Sequence, residues 1–126
     1  MIELKMDQSL DIMSLITYNM IMIVEIYRDE YGREPFSQWM DSIKDTRTHA
    51  RIDNRLERLR VGNFGDSRSL GSGVYELRLH FGPGYRIYYG KLGNRIVVLL
   101  VGGDKSSQAR DIQKAQRYWE DYKRNR

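Results

Sequence analysis

The chain contains no cysteine. That excludes disulfides, zinc–thiolate centres and thiol catalysis, and it suits a reducing cytoplasm. Histidine is nearly as scarce. His49 and His80 are the only two, too few for a His-rich mononuclear metal site, so no metal or other cofactor is expected. No window reaches the roughly 20 apolar residues of a membrane span. The most apolar stretch, Ile12 to Ile26, is interrupted by Ser14, Thr17, Asn19 and Glu25. It also lacks a basic flank and a small-residue cleavage site, so it reads as part of the protein rather than as a signal peptide.

What is present is basic charge, unevenly placed. Residues 1–43 carry three bases against eight acids, whereas residues 44–126 carry 18 bases against nine, for a net charge of +4. A basic body points to a polyanionic partner such as nucleic acid, against the blander alternative of a solvated mixed-charge surface. The length of 126 residues suits one domain with its own core. Residues 20–126 read as that domain and residues 1–19 as an N-terminal extension or an extra helix, with Met20 or Met22 as alternative starts.

The periodicities along the domain change in a consistent order. Ile21, Ile23, Val24 and Ile26 form a β-branched run typical of a strand. After the turn at Tyr31–Pro35, Phe36, Trp39, Met40 and Ile43 recur at helical spacing. A break near Asp45–Thr46 leads to a second stripe of Ile52, Leu56 and Leu59, with Arg47, Arg51, Arg55 and Arg58 on other faces, and Gly62–Asp66 ends it. Such a pair of helices reads as an antiparallel hairpin. Val74 to Phe81 alternates strictly, with Tyr75, Leu77, Leu79 and Phe81 on one face and Val74, Glu76, Arg78 and His80 on the other. Tyr85 to Tyr89 follows a tight Gly82-Pro83-Gly84 turn. Ile96 to Val101 is apolar on both faces and so predicts a covered central strand. Ser106 or Ser107 can cap a final helix with Ile112, Ala115, Trp119 and Tyr122 as its stripe. The expected fold class is therefore α+β: an antiparallel meander packed against an N-terminal helical hairpin and a C-terminal helix.

The polar side of the meander is where chemistry can sit. Residues two apart on a strand share a face, so Arg78 and Arg86 converge if the two polar faces coincide. Arg68 precedes the first meander strand and Lys105 follows the last. Guanidinium forks match phosphate oxygens, and helix amide ends attract anions, so the group reads as a phosphate cradle. Ion pairing with Glu76 or Asp104 is the competing reading. RNA can be cut without a metal when its 2′-hydroxyl attacks the adjacent phosphorus. The enzyme must then stabilise a doubly charged transition state and move two protons. His80 has the right spacing for proton transfer, although a lone histidine on a strand is more often structural. Tyr85, Tyr88 and Tyr89 can stack on bases or simply be strand residues. Gly71-Ser72-Gly73 lacks the lysine and the following helix of a phosphate loop, which argues against nucleotide hydrolysis.

Three segments taken together carry a family resemblance: Gly73-Val74-Tyr75-Glu76-Leu77-Arg78, Gly82-Pro83-Gly84-Tyr85-Arg86-Ile87-Tyr88-Tyr89, and Leu99-Leu100-Val101-Gly102-Gly103-Asp104-Lys105-Ser106-Ser107-Gln108. They resemble the RelE/ParE toxin superfamily, and more closely its HigB-like branch of addiction-module killer proteins and phage-derived relatives. Pro35-Phe36 with Trp39, and Gly62-Asn63-Phe64-Gly65-Asp66, are similar to that branch as well, and the likeness covers about residues 20–120.

The resemblance implies a RelE-like fold and a toxin neutralised by a cognate antitoxin, usually a helix-turn-helix DNA-binding protein. It implies ribosome-dependent cleavage of mRNA, an endoribonuclease activity that halts translation in the cytoplasm. Carried over position by position, the catalytic basic residues are Arg78, Arg86 and Lys105, with Arg68 as a weaker, RNA-binding addition from the loop. The residue chemistry, not the resemblance, adds His80 or Tyr88 to carry a proton and Tyr85 to stack on RNA. The chain departs from the family pattern in three ways. Glu76 stands where RelE has a basic residue, Gln108-Ala109-Arg110-Asp111-Ile112 offers no catalytic tyrosine, and the histidine-rich site of HigB enzymes is not reproduced. General acid and base stay unassigned. Two alternatives are a ParE-like inhibitor of DNA gyrase on the same scaffold and a phage-derived protein-binding module.

Overall fold

A computed structural model describes residues 21–126, and the expectations for residues 1–19 lie outside them. Strand β1 (Ile23–Ile26) is followed by helices α1 (Pro35–Ser42) and α2 (Thr46–Arg60). Strands β2 (Ser67–Gly71), β3 (Val74–Arg78), β4 (Arg86–Leu92) and β5 (Ile96–Gly103) come next. A single 3₁₀ turn (Lys105–Ser107) then leads into helix α3 (Gln108–Asn125). No helix among the described residues is long and apolar enough to cross a membrane.

The strands form one five-stranded sheet in the order β1-β5-β4-β3-β2. Strand β1 runs parallel to β5 and every other pairing is antiparallel. The sheet is thus mixed, and the apolar run at Ile96–Val101 lies between β1 and β4 as its composition predicts. Strand β2 is the element the periodicities do not show. Its Ser-Arg-Ser-Leu-Gly sequence is polar and edge-placed, and it is held by pairing with β3 rather than by an apolar face of its own.

Local chemistry explains the helices. Pro35 opens α1 at a position whose N–H needs no partner. Asp45 caps α2, accepting from the Arg47 amide at 3.4 Å and the Thr48 hydroxyl at 2.7 Å. His49 Nε2 lies 2.5 Å from the Ile43 carbonyl, so this histidine fastens the join between α1 and α2. Before α3, Asp104 rather than a serine side chain is the capping acceptor. It takes the Ser106 amide at 2.8 Å while its own amide donates to the Ser107 hydroxyl.

The two faces of the sheet bury separate cores. Phe36 of α1 and Ile52 and Leu59 of α2 pack with Leu77, Leu79, Ile87, Tyr89, Val97 and Leu99 on one face. Val74, Tyr88, Val98, Leu100, Val101, Ala115 and Trp119 pack under α3. A bulge lets Leu100 face α3 beside Val101: Tyr88 pairs with Val101, yet Tyr89 pairs with Leu99. Two glycines act as sockets for the tryptophans. A Cβ at Gly90 would run into the Trp119 ring, and one at Gly102 into the Trp39 ring. Trp119 is core as its helical stripe predicts, whereas Trp39 is only partly buried.

The alternation of β3 corrects one expectation. Its Val74–Glu76–Arg78 face is not an open polar surface, because α3 lies over most of it. Val74 and Glu76 are fully buried, and exposure begins at Arg78 and His80, where the strand runs past the helix end.

Candidate functional site

Two rows of side chains cross the α3 face of the sheet. In the inner row Arg68 of β2, Glu76 of β3 and Tyr88 of β4 stand abreast, since Glu76 pairs with both neighbours. In the outer row Arg78 pairs directly with Arg86. The strands therefore bring the two sequence-predicted arginines side by side on one face.

Glu76 organises the inner row. Its carboxylate accepts from Arg68 Nε at 2.8 Å, Tyr88 Oη at 3.0 Å and Gln108 Nε2 at 2.9 Å, and lies 3.7 Å from Arg86 Nε. Burial pushes this carboxyl up. Hydrogen bonds from Arg68, Gln108 and Tyr88, with the Arg68 charge, outweigh burial and hold it below the usual carboxylate range. The same contact works in reverse on Tyr88. Burial first, and then donation to Glu76, push its phenol far above the ordinary tyrosine value. Tyr88 is fully buried. It therefore holds its proton on Glu76 and does not reach the open end of the sheet, which corrects its placement as a proton carrier.

Asp66, in the loop between α2 and β2, organises the outer row. Oδ1 accepts from Arg78 Nη2 at 3.3 Å, and Oδ2 lies 2.5 Å from His80 Nε2. The His80 hydrogen bond, joined by the Arg78 charge, keeps the Asp66 carboxyl below its usual range. Arg86 turns back on the glycine turn, donating from Nη1 to the Gly84 carbonyl at 2.7 Å. Lys105 sits against the same turn, with its amide donating to Pro83. Asp104 is occupied with its capping bonds, and these bonds, chiefly from Ser106, together with the nearby Arg86 charge hold its carboxyl below the usual range.

The outer row opens into a hollow of about 340 Å³ lined by Arg78, His80, Phe81, Gly84, Tyr85 and Arg86. Tyr85 forms one wall, edge-on to Trp39 and Phe81, and is partly buried. Internal pairing, the competing reading of the basic residues, is present: Glu76 takes Arg68 and Arg86, and Asp66 takes Arg78 and His80. It is also incomplete. The Nε–H groups of Arg78 and Arg86 are buried without a hydrogen-bond acceptor, and the Lys105 ammonium makes no ion pair among the described residues. Unsatisfied buried donors are uncommon and call for a ligand or water. No group of three or more His, Asp or Glu side chains among the described residues is arranged to hold a metal ion.

Sequence reading missed Asp66 and Gln108. Asp66 reads as the end of a turn, and only the register of β2 on β3 places it beside Arg78. Gln108 reads as an ordinary first-turn residue of α3.

No family model matches the chain. Over 80 residues, covering 64% of this chain and 81% of the relative, it is 45% identical to a Haemophilus influenzae protein described as an uncharacterized protein.

Proposed function

We propose that this chain, which belongs to one family with that Haemophilus influenzae protein, is the toxin of a type II toxin–antitoxin pair. In this reading it is a RelE-like, HigB-like endoribonuclease that cuts mRNA on the ribosome in the cytoplasm. The observation that carries the reading is the cross-strand pair Arg78–Arg86, which lines one open hollow together with His80.

The chemistry follows from those groups. A scissile phosphate seated in the hollow accepts hydrogen bonds from the two guanidiniums. The ribose 2′-oxygen attacks phosphorus, the bond to the 5′-oxygen breaks, and the products are a 2′,3′-cyclic phosphate and a free 5′-hydroxyl. One proton leaves the 2′-hydroxyl and one reaches the departing 5′-oxygen. Arg78 and Arg86 stabilise the charge that builds on the equatorial oxygens, with Lys105 assisting from the turn. His80, exposed at the rim and steadied by Asp66, carries one of the two protons. Tyr85 offers a ring edge to a neighbouring base. An antitoxin bearing an acidic or apolar segment would cover this basic end of the sheet.

The test compares wild type with Arg86→Ala in a translating extract. Discrete mRNA cuts in wild type, falling about 10²–10³-fold in the variant as for loss of one transition-state donor, support the reading. Intact mRNA with arrested DNA supercoiling would replace it with the ParE-like gyrase inhibitor. Neither effect would leave a protein-binding module.

A further inference from the structure

Helix α2 carries a second basic feature that the hollow does not use. Arg47, Arg51, Arg55 and Arg58 are spaced by four, four and three residues, so they share an arc of about 80° on the helix. The core residues Ile52, Leu56 and Leu59 occupy a neighbouring arc, and the acidic Asp53 and Glu57 fall on the opposite flank. None of the four arginines pairs with a carboxylate among the described residues, whereas Arg60, on the acidic flank, pairs with Glu57 at 3.3 Å.

The stripe is joined to the hollow. The guanidinium of Arg51 lies 3.9 Å from the centre of the Phe81 ring, and Phe81 lines the hollow. The Arg55 guanidinium fills the space beside Gly65, next to Asp66, which holds Arg78 and His80. A continuous positive path therefore leads from the Arg78–Arg86 pair over the Phe81 face and along about 16 Å of helix. Four guanidiniums without carboxylate partners, one helical turn apart, present repeated donors to a linear polyanion. The continuity with the hollow selects the strand lodged there over a separate duplex.

We infer that the arginine stripe of α2 is the track for the single-stranded RNA flanking the phosphate held in the hollow. This rests on the nuclease reading for the identity of the polyanion, and the experiment separates the two. Two fluorescent 2′-O-methyl RNAs, a trinucleotide and a dodecanucleotide, lack the attacking hydroxyl and report binding alone. Their affinities for the full chain are measured by anisotropy across a salt series, in wild type and in Arg47→Gln/Arg58→Gln. Both residues are exposed, and their side chains hold no ion pair or hydrogen bond among the described residues.

The long probe should bind wild type more tightly than the short one. Its slope of log affinity against log salt should become shallower by about 1.4 in the variant, at about 0.7 for each single-strand phosphate that is no longer neutralised. The trinucleotide should bind both proteins alike. An unchanged slope for the long probe, no RNA binding by wild type, or an equal change for a duplex of the same length would overturn the track. Arg86-dependent mRNA cuts with an unchanged slope would leave the nuclease standing and the track refuted. Stripe-dependent binding without cuts would do the reverse.

Discussion

Replacing Glu76 by alanine tests whether the arginine site is held open by a buried carboxylate. Glu76 is fully buried, and the Arg86 side chain beside it is only 11% exposed. Removing one partner of a buried ion pair costs about 3–5 kcal/mol, because the other charge is left uncompensated. The buried Tyr88 hydroxyl loses its acceptor too, a loss of about 1–3 kcal/mol when taken alone. Arg68 is 49% exposed and recovers water, so its share is small. These losses overlap, since water entering the vacated space serves several donors. The expected total is about 4 kcal/mol, a large part of the roughly 5–15 kcal/mol that holds a typical domain. With a urea slope of about 2 kcal/mol/M the midpoint should drop by about 2 M.

Glu76→Gln keeps the shape and one acceptor, and it should lose about half as much. The pH response provides an independent check. The folded carboxyl titrates below its unfolded value, so the unfolded chain binds more protons over that interval. Glu76 therefore contributes its full stability above the unfolded carboxylate range, and this is lost as pH falls through the lower folded value. Wild type should weaken over that acidic interval more steeply than Glu76→Gln. A Glu76→Ala midpoint within about 0.5 M of wild type, with unchanged slope, would refute the idea that this carboxylate organises the arginines.

Two further substitutions probe the packing and the outer row. Gly90→Ala should cost about 1–3 kcal/mol through overpacking against Trp119, seen as a lower Tm together with a shifted tryptophan emission. An unchanged melt would mean that α3 shifts freely over the sheet. Asp66→Ala should leave the melt nearly unchanged, because its partners Arg78 and His80 are themselves 41% and 71% exposed. It should still slow mRNA cleavage in a translating extract by about tenfold or more, part of the roughly 10²–10⁴ attributed to proton transfer. Full activity in this variant would remove His80 and its anchor from the chemistry.

The legible parts of the fold were those where one residue type recurs at a fixed period. Helices α1 and α2, the alternation of β3 and the doubly apolar β5 are written into Phe36–Ile43, Ile52–Leu59, Val74–Phe81 and Ile96–Val101. Strand β2 is not, because an edge strand of serine, arginine and glycine has no apolar period to read. Nor does periodicity reveal which polar face is covered. Val74, Glu76 and Arg78 alternate with apolar neighbours as a solvent face would, yet α3 closes over the first two.

That covering decides the chemistry of each candidate. Alternation correctly puts Glu76, Arg78, His80, Arg86 and Tyr88 on one side of the sheet, but α3 ends between the inner row and the outer one. Glu76 and Tyr88 fall inside the boundary and become structural: a buried acid and a phenol held on it. Arg78, His80 and Arg86 fall outside and face the hollow. Only the helix register sets the line, and Gln108, the first residue of α3, marks it by bonding Glu76. Glu76 then has a physical use. A carboxylate one row in from the hollow holds Arg86 from behind, while a second, Asp66, holds Arg78 and His80 from the side. Two carboxylates thus fix Arg78, His80 and Arg86 at the rim of the hollow.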